Sequence, residues 1–306
     1  MHCKRTWVVE TGTFVQFRER STLNLVNSLP RLRWPIIISI LLSLGAFVLY
    51  YNLTSDAISE PAVLLTETPV VIPTATSTPS GEKLFTYVEV RDGCDFAYVG
   101  ECVNLRSGPG VKYSVIERLR NGVVLKVAET TVLQGETWYK IQFDKELRYP
   151  ERVTRDWYVS GNFVHLISDV GDKDTNGKKF LTNKRIIVDI SEETLYAYEG
   201  DILYMKELIS TGIGFTPTPG GDFSVLRKTP SRYMQGPIVG VSDQFYDLPG
   251  VPWDLYIDRT GVVIHGAYWH DQFGKPWSHG CINLSPQNAK KLYLWADLGT
   301  KVLVID

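Results

Sequence analysis

Cys281 lies in the stretch "SHGCINL", two positions after His279 and sixteen after His265. The chain has five histidines, and three of them fall between 265 and 279. A thiol attacks as its thiolate, and a free cysteine with a pKa near 8.5 is mostly protonated at pH 7. A neighbouring imidazole can take that proton, forming a thiolate–imidazolium pair, and can later return it to a leaving amine. His265 ends the apolar run "GVVIH" and is far enough away in sequence for a separate strand to bring it alongside the thiol. His279 shares a face with Cys281 on an extended chain, but side chains at i and i+2 run parallel and need not meet. His265 is therefore the preferred base, with His279 and Ser278 as orienting or pocket residues. Gly280 lets the chain approach closely, and backbone N–H groups at Gly280 and Cys281 suit an oxyanion hole. Zinc held by His265, His270, His279 and Cys281 is a competing chemistry, since zinc favours these ligands. A His-x-Cys pair with an intervening glycine on one strand is not a usual ligand pair. Trp253, Tyr256, Trp269 and Trp277 surround the motif in sequence and fit either a substrate groove or a core, and Tyr268 and Asn283 are equally open.

The elements that must position these residues read as mostly β. "IIVDI" and "TLYAY" are β-branched and aromatic, with "EGD" as the hairpin turn between them. "DILYMKELIS" continues as a strand, "TPTPGGDFSV" is a turn followed by a strand, and "KVLVI" is the last strand. Helical signal is confined mainly to "SPQNAKKLYLWADLG", where Ser285 is the expected N-cap, Pro286 the first helical residue, and Gly299 follows the end. Upstream, "YVEV", "VVLKVAET", "WYKIQF" and "WYVSGNFVHLI" read as the strands of a separate β unit. The polar stretch "SDVGDKDTNGKKF" divides the two regions.

The N-terminal third is different in kind. Residues 36–53 carry no charge and would span about 27 Å as a helix, near the thickness of a hydrocarbon core. Trp34, Tyr50 and Tyr51 sit at its edges, as interfacial aromatics do. Lys4, Arg5, Arg18, Arg20, Arg31 and Arg33 precede it against only Glu10 and Glu19. We therefore expect a cytoplasmic basic segment (1–34), a transmembrane helix (35–53) and everything beyond residue 54 outside the membrane. The alternative is secretion after cleavage near Ala57. Residues 54–83 are rich in Pro, Thr and Ser and cannot bury a core, which suits a stalk or linker. The net charge of −2 gives no basic footprint for nucleic acid, and no cofactor or metal is expected.

Residues 84–167 resemble bacterial SH3-like domains. Asn104–Gly110, "NLRSGPG", matches the family's turn, and Trp138–Ile141 its later strand. Asp156-Trp157 stands where the family has Gly-Trp, and "DKELRYPERVTRD" is a polar insertion. The resemblance implies a small β-barrel that binds cell-wall material or acts as a spacer. Cys94 and Cys102 flank "DFAYVGE" and could pair in an oxidising exterior, although spacing alone does not bring their Cα atoms within bonding reach.

Residues 184–306 resemble the L,D-transpeptidase catalytic domain (YkuD-like). His265-Gly266 and Ser278-His279-Gly280-Cys281-Ile282-Asn283 fill the family's motif, "IIVDISEETLYAYEGD" its opening hairpin and "TPTPGGDFSV" its Thr-Pro-x-Gly-x-Phe segment. The resemblance implies a β-sandwich or barrel with one or two short helices, with Cys281 as nucleophile and His265 as proton acceptor and donor. It also implies peptidoglycan stem peptides as substrate and carbapenems as covalent inhibitors. Tyr256, Trp269 and Asn283 are candidate substrate-binding residues. The stretch 226–253, "LRKTPSRYMQGPIVGVSDQFYDLPGVPW", fits no regular element and is the expected capping loop. A papain-like hydrolase would place its cysteine before its histidine, and an inactive wall-binding protein would have lost one of the pair.

Overall fold

A computed structural model describes residues 82–143, 147–237 and 245–306. The basic segment 1–34, the apolar run 35–53 and nearly all of the 54–83 linker lie outside them. Among the described residues no helix is long and apolar enough to cross a membrane.

The first β region is one antiparallel sheet. Its strands are β1 (Phe85–Val90), β2 (Val103–Arg106), β3 (Val115–Leu119), β4 (Val124–Leu133), β5 (Glu136–Gln142), β6 (Tyr158–Ser160) and β7 (Val164–Asp169). They hydrogen-bond in the order β3-β2-β6-β5-β4-β1-β7. The Ser-Gly-Pro-Gly turn after β2 is tied down by Arg106, whose Nη1 donates to the Tyr113 carbonyl at 2.8 Å. "WYVSGNFVHLI" is two strands, β6 and β7. Ser160 accepts from Asn162 N–H at 3.3 Å and opens a single 3-10 turn, Gly161–Phe163, between them. Cys94 and Cys102 form a disulfide that closes the 95–101 loop.

The second region holds β8 (Lys173–Asp174), β9 (Lys184–Asp189), β10 (Thr194–Glu199), β11 (Ile202–Leu208), β12 (Gly221–Ser224), β13 (Arg227–Pro237), β14 (Phe245–Tyr256), β15 (Val263–Gly266), β16 (Ile282–Leu284), α1 (Pro286–Trp295) and β17 (Lys301–Ile305). They build two five-stranded sheets, β11-β10-β9-β17-β12 and β16-β15-β14-β13-β8. Helix α1 starts where its sequence says it should. Ser285 Oγ accepts from Asn288 N–H at 3.3 Å, and Pro286 occupies the first turn, where its missing N–H costs nothing. Its buried face, Ala289, Leu292, Tyr293 and Trp295, packs into one core with Ile186, Val188, Leu195, Leu255, Ile264, Ile282 and Val304.

One expectation fails in part. The 226–253 stretch is regular in its described residues: β13 and β14 pair in a long antiparallel ladder, Arg227↔Tyr256 through Pro237↔Phe245, while residues 238–244 of the expected capping loop lie outside the described residues. Its prolines and glycines hide the strand period. Pro249 and the left-handed Gly250 fall at the register shift between Arg232 and Met234, and Pro230 and the left-handed Trp253 drop out of the ladder together, while Gly236, Pro237 and Pro252 stay in register. Strand β8 comes from the polar break, which adds an edge to this sheet.

The two regions share cores. Val251 and Tyr268 pack among the apolar residues of the SH3-like sheet, while Tyr87 and Val124 pack among those of the catalytic half. Gly250 shows how close the contact is. A Cβ there would lie 2.4 Å from the Val124 carbonyl oxygen, and φ is +65°, so glycine alone fits. Ser231 Oγ donates to that same carbonyl. The Lys290–Glu89 ion pair, 2.8 Å, adds a second tie. The polar insertion supplies a third, with Tyr149 N–H donating to Gln235 Oε1 at 3.2 Å and Arg152 paired with Asp247 at the far end of the β13–β14 hairpin.

Candidate active site

Strands β15 and β16 run parallel, with Ile264 opposite Ile282 and His265 opposite Asn283. Directly opposite residues on paired strands point to the same face, so His265 and Asn283 share one. Cys281 sits just ahead of β16, its Sγ donates to the Gly261 carbonyl at 3.8 Å, and it lines the same cavity as His265. His279 is exposed at the rim.

The motif turn is held by its own hydroxyl. Ser278 Oγ donates to the Cys281 carbonyl and accepts from Gly280 N–H at 3.1 Å. Ser278 is therefore spent on the backbone rather than on an imidazole, and the Gly280 N–H is engaged rather than free for an oxyanion. Gly280 itself has φ +110°, a conformation that side chains resist. Two residues outside the motif fix it further, both inside segments that carry the family resemblance but neither picked out as a site residue. Thr218 Oγ1 accepts from Gly212 N–H at 2.8 Å and donates to the Gly280 carbonyl at 3.1 Å. The buried Glu193 carboxylate accepts from Thr211 N–H at 2.7 Å. The Thr211 carbonyl in turn receives the N–H groups of Trp277 and Ser278, each at 2.9 Å.

His265 is 1% exposed. Its Nδ1 lies 3.1 Å from the Gly266 carbonyl oxygen. A carbonyl only accepts, so the ring proton sits on Nδ1. Nε2 is left as a bare lone pair, buried and without a partner among the described residues. Burial holds the imidazole pKa down to about 3, and the nearby Arg232 charge pushes the same way. The Cys281 thiol is pushed up by burial, opposed by Arg232 and by the Val263 N–H. The resting pair is thus a neutral thiol and a neutral imidazole, not the ion pair expected above: desolvation penalises both charged forms.

His270 has other work. Its Nδ1 accepts from Gln272 N–H at 3.2 Å, and the Asn283 amide nitrogen Nδ2 lies 2.9 Å from its Nε2. Burial lowers the His270 pKa to about 4. Asn283, 2% exposed, makes this contact and also lines the cavity beside His265 and Cys281. Among the described residues no three His, Cys, Asp or Glu side chains converge as metal ligands.

Cys281, His265 and His279 open onto a cavity of about 850 Å³, with Tyr256, Trp269 and Trp277 on its walls. The Trp269 ring lies 5.7 Å from that of His265. Arg232, which the sequence did not single out, projects from β13 into the same cavity. Its Nη1 donates to Tyr256 Oη at 3.3 Å, and its Nε lies 3.9 Å from the fully buried Asp254. Its pKa is raised, with the Tyr256, Asp254 and Cys281 charges outweighing the burial that lowers it. An isolated arginine inside a segment with no visible strand period offers no signal until β13 is paired.

Comparison with known proteins shows what this chain is similar to. Residues 183–304 match the profile of the L,D-transpeptidase catalytic domain (YkuD), and residues 102–149 that of the bacterial SH3 domain. A putative L,D-transpeptidase YkuD of Bacillus licheniformis is 28% identical over 123 residues, covering 39% of this chain and 64% of that protein. A probable L,D-transpeptidase 3 of Mycobacterium tuberculosis is 36% identical over 93 residues, covering 29% and 34%. The chain therefore spans less than two thirds of the length of these curated relatives. Among solved structures, the E. faecium L,D-transpeptidase catalytic domain acylated by ertapenem is 31% identical. That match covers 41% of this chain and 99% of the other, with a TM-score of 0.36.

Proposed function

We propose that this chain, carrying an L,D-transpeptidase catalytic domain beside a bacterial SH3 domain, is an L,D-transpeptidase acting on peptidoglycan stem peptides. One observation carries the mechanism: a buried histidine with an unprotonated, unpartnered Nε2 lining the same cavity as a cysteine thiol. In the reading proposed here, His265 Nε2 takes the Cys281 proton as sulfur attacks the carbonyl between the third stem residue and D-Ala. The new S–C bond and the breaking C–N bond meet at a tetrahedral oxyanion. The Cys281 N–H is the candidate donor to it, since Gly280 N–H is engaged. The imidazolium returns its proton to the departing D-Ala amine. An acceptor amine, or water, then attacks the thioester while His265 takes its proton and finally restores the thiol. Arg232 offers the developing thiolate a fixed positive charge within a largely desolvated cavity. A carbapenem is the expected covalent inhibitor, its ring carbonyl taking the place of the scissile one.

The full chain incubated with a defined tetrapeptide stem tests the reading. Release of D-Ala with 3→3 cross-linked dimer, tripeptide or both is expected, and their ratio tells whether amine or water is the acceptor. Release of no D-Ala from any stem would overturn it.

The basic segment and the apolar run 35–53 support a single-pass anchor that places residues beyond 54 on the peptidoglycan side. Protease added to intact cells should then remove the β domains and spare residues 1–34. Protection of the β domains would reverse the topology and take away the substrate.

A further inference from the structure

The catalytic cavity is not built by the catalytic domain alone, because Arg120, on the turn between β3 and β4 of the SH3-like sheet, lines it as well. A continuous stack connects that arginine to the catalytic histidine. The Arg120 guanidinium lies over two rings, 4.5 Å from the centroid of Tyr98 and 5.0 Å from that of Tyr268. Tyr268 meets Trp269 edge-on at 5.1 Å, and Trp269 faces His265. The disulfide fixes the outer end of the stack. Tyr98 belongs to the loop that Cys94–Cys102 closes, and Cys94 forms an isolated bridge with Arg120 while its carbonyl accepts from Asn121 N–H at 2.9 Å.

This guanidinium is held in place but not matched. Its Nε is buried without a hydrogen-bond partner, and its Nη1 reaches only the Phe96 carbonyl, at 3.5 Å. Among the described residues no carboxylate lies within ion-pair distance of it. Leaving a partly desolvated, charged donor unpaired is costly, and stacking over two aromatic rings orients the guanidinium plane without using its in-plane N–H groups. The rest of the cavity has the same sign. Arg148, Arg227 and Arg232 also border it, against the single carboxylate of Asp172, which already pairs with Arg227 at 3.0 Å. A cation-lined cleft in a chain whose net charge is −2 selects an anionic ligand.

We propose that Arg120 forms a carboxylate-binding subsite at the seam between the two domains, through which the SH3-like domain takes part in recognising the peptide. The inference rests on the transpeptidase reading for the identity of that peptide. Planar guanidinium and carboxylate match in a two-bond fork, and the stem peptide carries carboxylates beyond the scissile bond. The disulfide loop and Tyr268 act as positioning groups for the fork.

The test uses equilibrium binding, so it does not depend on turnover. A synthetic stem tripeptide, with nothing left to cleave, is titrated into the full chain in its native form and with each carboxylate converted in turn to an amide. In the wild type, one amide should weaken binding about ten-fold or more, the range for a hydrogen bond to a charged group. In Arg120→Gln the native peptide should lose the same factor, that amide should bind as it does to the wild type, and the preference between the two should vanish. Arg120→Lys, which keeps the charge and loses the fork, should fall between them. A merely structural arginine would weaken native and amidated peptides alike. An unchanged carboxylate preference in Arg120→Gln, or none in the wild type, would overturn the subsite. The D-Ala release assay fails or succeeds separately and judges the reaction itself.

Discussion

Cys281→Ala should abolish acyl-enzyme formation while leaving the fold in place, and Cys281→Ser should do so nearly as fully. Removing a covalent nucleophile from a site whose members act as a unit costs about 10⁴- to 10⁶-fold, below detection for a transferase of ordinary speed. The thiol is the only free cysteine among the described residues. Incubation with a carbapenem followed by mass spectrometry should give one adduct, on the peptide containing Cys281 and not on that containing Cys3, and none in the alanine variant. The serine variant fails for a different reason from the alanine one. It keeps a nucleophilic atom, but the hydroxyl is far less acidic than a thiol and a base with a pKa near 3 has little driving force to deprotonate it. Acylation that survives in Cys281→Ala, or an adduct elsewhere, would remove the thiol from the reaction.

His265→Ala should cost about 10²- to 10⁴-fold in acylation, the usual contribution of a general acid–base group. His279→Ala should cost far less, since that ring is exposed at the cavity rim. The pH profile separates roles that a rate alone does not. His265 is held well below its ordinary pKa, to about 3, so its basic form is already complete in weak acid. In kcat/KM for acylation, no acid limb belonging to His265 should appear near pH 6.5. The rate should stay level from about pH 5 to about pH 8, the range in which neutral thiol and neutral imidazole coexist. The same shift has a consequence for stability. A histidine whose folded pKa is depressed contributes stability that is complete above about 6.5. That contribution is lost progressively as pH falls toward 3, because the unfolded chain binds the proton first. His265→Gln should accordingly unfold with a weaker pH dependence between these values. An acid limb near 6.5 that disappears in His265→Ala would show that the ring is charged at rest, and the neutral-pair mechanism would be wrong. A larger loss in His279→Ala than in His265→Ala would exchange the roles of the two rings.

The candidate reacting groups and much of the local scaffold were legible in the sequence. Cys281 and its order relative to His265, the Ser285-Pro286 start of α1 and the strands on either side of the "EGD" turn all depend on residue type over a few positions. Such short-range signals survive in a linear reading. The state in which those groups rest is set by the fold. His265 holds its proton on Nδ1 because the Gly266 carbonyl lies 3.1 Å away in the folded strand, and burial keeps the ring neutral. No spacing encodes burial. Ser278 was legible as part of the motif, but only the folded turn shows its hydroxyl spent on the Cys281 and Gly280 backbone. The β13–β14 hairpin was missed because its strand period is interrupted by prolines and glycines, whose places are set by pairing with a partner strand rather than by their neighbours in the chain. Arg232 was missed with it. Arg120 lies 145 positions before His265 in the chain, in a different β region, and joins the same cavity only because Tyr268 packs into the SH3-like core. Contacts of that kind depend on long-range packing, which one sequence constrains in sum but does not spell out residue by residue.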